Sequence, residues 1–368
     1  MENLKKTIRF KKGDNDFIRC LRERVRDYFH DNNLSTRADS RFYLKGILLF
    51  SSYLLTYLLA LLYGNNLYVL MLCYAVMGPL AFLAGINTGH DAVHGAISDK
   101  SSVNKAFMLV FDVLGLNSFM WRNRHIYAHH RYQNVIHLDS DIPVLPFLRL
   151  FPKYPPTALQ RYQHLYMPLI YLLYTAHWVM RRDFLDFLST RIGSYYTHYH
   201  WSEIVKLILF KSLYALYIFV VPVLVLDHSA GIIFLAFLLL SAFASISVAL
   251  ILVSSHVGIN LLFPEPDEDG YLPNTWAAHQ LLTTSDFATG NPVINTLFGG
   301  FNHHTFHHFF PTICHVHYPG LTPILQQTAR EYGLPYHYEK SLLSSIRSHW
   351  KLLKVRATET PAIQPVHG

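Results

Sequence analysis

The chain has 368 residues, 51% of them hydrophobic and only 15% charged, against roughly 25% charged in an ordinary soluble domain. That balance argues against a soluble enzyme and for membrane embedding. The net charge of +7 would suggest nucleic acid in a soluble protein, but here basic flanks beside anionic lipid explain it better, and no nucleic-acid partner is expected.

Residues 1–45 are polar and basic, with no continuous apolar core, so they are not read as a cleavable signal peptide. Within them, Phe17, Leu21, Val25, Tyr28 and Phe29 recur at helical spacing among arginines. This predicts an amphipathic helix over 15–29, lying on protein or on the membrane surface. Apolar stretches follow at 46–63 and 67–86, divided by Gly64-Asn65-Asn66, and again at 207–226 and 232–253, divided by residues 227–231. Each approaches the ~20 residues that cross a bilayer core. The reading is two transmembrane hairpins, with Lys211 near the start of the third span snorkelling to the interface.

Twelve lysines and arginines precede the first span, and neither tight turn contains one. The positive-inside rule then places both chain ends and the central region in the cytoplasm. Between the second and third spans, 106–116 is apolar but too short to cross, and 162–180 is aromatic-rich and interrupted by Pro168. The first is expected to lie in the interface or dip partly into the bilayer, and the second to be an interfacial helix. Beyond His256 come an acidic turn at 263–270, mixed amphipathic helices after Pro311, and a polar tail at 355–368 expected to be disordered. Residues 46–354 thus form one all-α membrane domain: four transmembrane helices, interfacial helices and a cytoplasmic helical cap. Three scattered cysteines with no CxxC pair argue against a disulfide framework or a cysteine-ligated cluster.

Three histidine clusters carry the chemistry: His90 and His94; His125, His129 and His130; His304, His307 and His308. Imidazole binds iron, zinc, copper or nickel as the neutral base present near pH 7. Positions i and i+4 share a helix face, so His90/His94 and His125/His129 can each pinch one ion. The adjacent His130 and His308 point about 100° further round and can reach a second. All three clusters fall on the cytoplasmic side in this topology, as a shared site requires. A metal transporter is disfavoured because the clusters lie outside the spans, and a haem protein because haem takes one or two axial histidines.

These clusters resemble the three histidine boxes of the membrane fatty acid desaturases and related hydroxylases. The likeness extends to Trp121-Arg122-Asn123-Arg124-His125, Asp139-Ser140-Asp141, Phe263-Pro264-Glu265-Pro266, Trp276 to Thr284, Gly299-Gly300-Phe301-Asn302 and His307 to Pro319. It is strongest toward bacterial front-end, linoleoyl-CoA-desaturase-like proteins, which implies a bacterial inner membrane. The resemblance implies two iron ions held by His90, His94, His125, His129, His130, His304, His307 and His308, with His256 as a further ligand. It implies dioxygen as co-substrate and an acyl chain on CoA or in a lipid. Electrons would come from a separate ferredoxin or cytochrome b-type donor, because no His-Pro-Gly-Gly signature of a fused cytochrome is present.

Abstracting hydrogen from an unactivated methylene needs an oxidant stronger than any side chain, so a metal site must supply it. Asp91, Asp139 and Asp141 are candidates to accept the free imidazole N–H of the ligands, and Trp121 and Asn302 are candidates to touch substrate. Three departures from the front-end pattern bear on reaction outcome: His304 stands where glutamine is usual, Phe306 where an acidic residue is, and Gly258-Ile259-Asn260 where acidic residues follow the last-span histidine. A hydroxylase, ketolase or acetylenase is therefore the alternative on the same scaffold. Chain length, bond position, carrier, donor and oligomeric state are not encoded in these motifs.

Overall fold

A computed structural model describes residues 8–359 apart from Asp14 and Pro143, so most of the expected tail, residues 360–368, lies outside the described residues. The described chain is mostly helical. Helix α1 (Asp16–Asp31) buries Phe17, Leu21, Val25 and Phe29 and turns its arginines outward. Helices α2 (Ser40–Tyr63) and α3 (Leu67–Val93) follow. α2 starts before the apolar window because Asp39 caps it, its carboxylate accepting the Arg41 N–H. Arg41 and Lys45 therefore ride on the first turns of the helix. Asn66 caps α3 in the same way, accepting from the N–H groups of Tyr68 and Val69.

Helices α4 (Ser101–Val113) and α5 (Ser118–Tyr132) meet at 113°. Short helical pieces then run from Gln163 to Leu188, followed by a small hairpin of β-bridged pairs, Arg191–Ile192 with Tyr195–Tyr196. The region around Pro168 is thus a broken series rather than one interfacial helix. Helices α6 (Trp201–Val225) and α7 (Ala230–Val253) complete the apolar set. Four helices are long and apolar enough to cross a membrane, or five if the bent pair α4–α5 is taken as one. Apolar side chains on the outer helices α2 and α6 are open to the surroundings: Ile47, Leu55, Leu62, Leu209 and Leu224 are all exposed, as lipid-facing side chains are in the absence of lipid.

α3 and α7 form the inner pair. Gly78 lets them touch, since a Cβ there would lie 2.3 Å from the Leu240 carbonyl oxygen. Tyrosine hydroxyls satisfy carbonyls freed where α6 loosens into a π-turn at Leu216–Val220: Tyr74 donates to Ile218 O and Tyr57 to Tyr217 O. The two tight turns meet, with Asn65 bonded to Asp227 and His228 to Gly64 O.

Lys211 corrects the sequence expectation. Its ammonium does not snorkel but turns inward, donating to Gly115 O, Val179 O and the Asp183 carboxylate. Lys206 pairs similarly with Asp112 at 3.1 Å. Buried aspartates on the neighbouring segments offer these lysines more than the interface does.

The remaining helices make up a further group. It comprises α8 (Trp276–Thr283), α9 (His304–Phe309), α10 (Tyr318–Glu331) and α11 (Leu342–Thr358). α1 packs its apolar face on α10 through a cluster including Phe306, Leu321 and Leu325, and Arg24 reaches Glu331 at 2.5 Å. Arg9–Phe10 runs parallel to Tyr271–Leu272, and Asp286–Phe287 parallel to Tyr338–Glu339. α11 continues to Thr358, into the stretch read as tail.

Candidate metal centre

Three of the histidine-bearing helices widen where the histidines occur. A π-turn at Gly85–Gly89 precedes His90, another at Arg124–His129 contains His125 and His129, and a third at Ala249–Val253 precedes His256. Such turns rotate the following side chains out of α-helical phase and recur at functional sites. The third box lies on α9, entered through Gly300, whose φ of +80° and crowding by Tyr318 and His315 leave no room for a side chain.

Together these elements bring all nine sequence-nominated histidines into two adjoining groups. In the first, ring nitrogens of His90, His94, His125 and His307 lie within 4.8 Å of one another; in the second, those of His129, His256, His304 and His308 do. His130 joins the first group, its Nε2 3.1 Å from that of His125 and 3.0 Å from that of His307. His90 and His94 share the first group, whereas His125 and His129 fall in different groups of four and meet in a third set with Asp141, all within 4.8 Å. The π-turn puts those two rings parallel, 5.5 Å apart, but in different groups. His304/His308 share a group, while His307 crosses to the other.

The ring nitrogens facing away from the centre show which tautomer each histidine carries. His129 Nδ1 donates to Asp139 at 3.1 Å, His256 Nδ1 to the Thr283 carbonyl at 3.1 Å, and His308 Nδ1 to Gln280 Oε1 at 3.2 Å. His256 and His308 therefore present Nε2 lone pairs 3.2 Å apart, while His129, which Asp139 raises against the lowering effect of burial, has its Nε2 3.1 Å from that of His256. Lone pairs converging at that distance repel unless a cation sits among them. Burial, with neighbouring histidines adding to it, holds His256 down to about 3 and His304 and His308 well below the ordinary imidazole range. Neutral nitrogens are what a metal requires. In the first group, His94 Nε2 is buried with no hydrogen-bond partner. The donor set is compatible with a metal centre.

The outer candidates separate. Asp139 bonds His129 and also accepts the Asn134 and Asp141 N–H groups. Asp141 stays 4.0 Å from His125 Nδ1 and 3.8 Å from His129 Nδ1, beyond hydrogen-bond reach. Asp91 differs from expectation: it lies 3.8 Å from His90 Nδ1, and its bond goes instead to His315 Nδ1 at 2.8 Å, with Lys45 on the far nitrogen at 2.7 Å. Adjacent residues on a helix point about 100° apart, so the Asp91 carboxylate faces His315 rather than the neighbouring His90 ring. Trp121 stacks on His125 at 4.5 Å, and buried Asn302 donates to Asn295 at 2.6 Å.

Three groups escaped the sequence reading: Gln280, the Thr283 carbonyl and the Tyr318 hydroxyl, which lies 3.0 Å from His307 Nδ1. None stands at a fixed spacing from a histidine box. Only the packing of α8 and α10 reveals them. The other nearby histidines are engaged elsewhere: His279 with Gln133 O, His303 with Thr322 and Asn295, and His317 with Arg37 O.

The chain matches the fatty acid desaturase family over residues 65–340. It is 31% identical over 347 residues to the sn-1 linoleoyl-lipid 6-desaturase of Synechocystis sp., covering 92% of this chain and 94% of that one. The Arthrospira platensis protein of the same name is 28% identical, covering 95% of each chain. An acyl-lipid (8-3)-desaturase of Physcomitrium patens is 29% identical over 95% of this chain and 74% of its own length. The chain belongs to the fatty acid desaturase family and is a fatty acyl desaturase, an oxidoreductase.

Proposed function

We propose that this protein is a membrane di-iron desaturase that introduces a double bond into an acyl chain esterified in a lipid, using dioxygen and two electrons from a separate ferredoxin or cytochrome b-type donor. The observation that carries the reading is the pair of adjoining histidine groups with lone pairs turned inward. One iron would be held by His90, His94, His125, His130 and His307, and the other by His129, His256, His304 and His308. Iron with dioxygen supplies the oxidising power to remove hydrogen from a methylene, which no side chain has.

The protein's share of the work is geometric and electrostatic. Asp139, Gln280, the Thr283 carbonyl and Tyr318 hold four rings in fixed orientation. Trp121, stacked between Phe111 and His125, walls the centre on the side of the bent helix pair. Phe306, fully buried against Tyr318 and Phe310, packs an apolar ring behind the third box. The acyl chain would enter between the apolar helices and lie against the two groups. The lipid carrier follows the printed names of the relatives; acyl-CoA is the other carrier this site would accept.

The two hairpins, a cytoplasmic cap and cytoplasmic chain ends fit the basic residues flanking α2 and the turns without lysine or arginine at the opposite end. The test is mass spectrometry of total fatty acids from a bacterial host expressing the chain or its His307→Ala variant. A species lighter by two hydrogens, absent from the variant, is expected. A species heavier by one oxygen would replace desaturation with hydroxylation, and a purified chain that takes up no iron would remove the di-iron reading.

A further inference from the structure

The third histidine box hangs from a carboxylate that touches no histidine side chain. Asp286 is fully buried. Its Oδ1 accepts the backbone N–H of Thr305 at 2.7 Å, and its Oδ2 takes the Tyr336 hydroxyl. Thr305 lies in the first turn of α9, where helices leave N–H groups unpaired. The residue at the cap position, His303, gives that turn no side-chain bond, because its ring is committed to Thr322 and Asn295. Asp286 thus does from a distant segment what an N-cap residue normally does locally.

The same strip of chain also grips the end of α7. Ser285 N–H donates to Ser255 O at 2.9 Å, one residue before His256, and the Thr284 and Thr305 hydroxyls meet at 3.2 Å. Residues 284–286 therefore tie the start of α9 to the end of α7. Between those anchors His256 and His304 face each other, Nε2 to Nε2, at 2.6 Å. Tyr336 fixes the strip from behind, helped by the Asp286 N–H bond to His337 O at 3.1 Å.

We propose that Asp286, clamped by Tyr336, is a positioning residue that sets the spacing of His256 against His304 and His308, and so governs metal retention in that group while sparing the other. This rests on the reading that both groups hold metal. The other group draws His90 and His94 from the end of α3 and His125 and His130 from α5, and its α9 member His307 has its own anchor in Tyr318.

The experiment reconstitutes the full chain with ferrous iron in detergent and measures iron per chain, iron dissociation into a chelator and circular dichroism. Wild type should hold about two irons. Asp286→Ala should keep its helical spectrum and hold about one. Asp286→Asn should stay near wild type, since the amide oxygen still accepts from Thr305. Tyr336→Phe should lose one iron roughly 10-fold faster than wild type, the scale on which outer partners affect metal affinity. Two irons retained in Asp286→Ala, or both lost from a folded chain, would overturn the proposal. If that variant does not fold, Tyr336→Phe decides: a wild-type dissociation rate overturns it. Wild type without iron would instead defeat the di-iron reading itself.

Discussion

Asp139 accepts a hydrogen bond from His129 Nδ1 at 3.1 Å, on the side of the ring opposite the nitrogen that lies 3.1 Å from His256. The carboxylate therefore selects the tautomer and holds the ring plane. Replacing it with alanine should weaken iron binding about 10–100-fold, while asparagine, still able to accept through its oxygen, should cost less. Iron content after dialysis against graded chelator would show the order, and equal retention in both variants would remove Asp139 from this role.

Gln280 does the same for His308 from α8, its Oε1 3.2 Å from Nδ1. Gln280→Leu keeps the volume but offers no acceptor, leaving a buried N–H unpaired. Iron affinity and desaturated product should both fall, with Gln280→Glu falling less. Product formation at the wild-type rate in Gln280→Leu would argue that α8 packing alone holds the ring.

Lys211 and Asp183 are 2.7 Å apart with side chains 12% and 1% exposed. Removing one partner strands a buried charge, a loss of about 3–5 kcal/mol. Lys211→Met should therefore lower the melting temperature in detergent sharply, and Lys211→Met with Asp183→Asn should recover part of it. If Lys211 instead lay at the lipid interface, the single variant would melt near wild type.

Gly78 is the closest approach of α3 and α7, with the Leu240 carbonyl oxygen 2.3 Å and the Ala244 nitrogen 2.8 Å from the place a Cβ would take. Gly78→Ala must push the helices apart, at about 1–3 kcal/mol. Because α3 carries His90 and α7 leads into His256, iron retention should drop along with stability. A variant that melts and binds iron like wild type would mean the helices are not held at this separation.

His349 contributes an acid limit. It is buried on α11 between Val257 O and the Tyr171 hydroxyl, and burial, against the raising effect of the Val257 carbonyl, holds it down to about 4. The unfolded value is about 6.5. Between these two, the unfolded chain binds a proton that the folded chain refuses. Stability is whole above pH 6.5 and declines as pH falls toward 4, on the order of 1 kcal/mol per pH unit. His349→Gln should melt with a shallower pH dependence from 6.5 to 5 than wild type, and parallel curves would contradict the assignment.

Much of this protein is written locally. Four runs of apolar residues, with turns free of lysine and arginine at 64–66 and 227–231, read as helices long enough to cross a bilayer, because a backbone in hydrocarbon must satisfy its own hydrogen bonds. The periodic Phe17, Leu21, Val25 and Phe29 likewise give α1 its buried face. Eight histidines were nominated from their grouping into boxes along the chain, a pattern a multi-ion site would need, and His256 from the family resemblance.

What the sequence left open depends on phase and on distant neighbours. α-Helical spacing pairs His125 with His129, and the two do meet beside Asp141, but across a π-turn their rings also enter different groups of four. Asp91 sits beside His90 in sequence yet serves His315, 224 residues away. Gln280 and Tyr318 lie inside stretches similar to the family, yet nothing along the chain says which ring each one faces, and the Asp286–Tyr336 clamp joins residues 50 positions apart. The residues able to bind metal are a property of composition and spacing. How those residues divide into two groups, and what holds each ring, is decided only when α8, α9 and α10 come together with the ends of α3, α5 and α7.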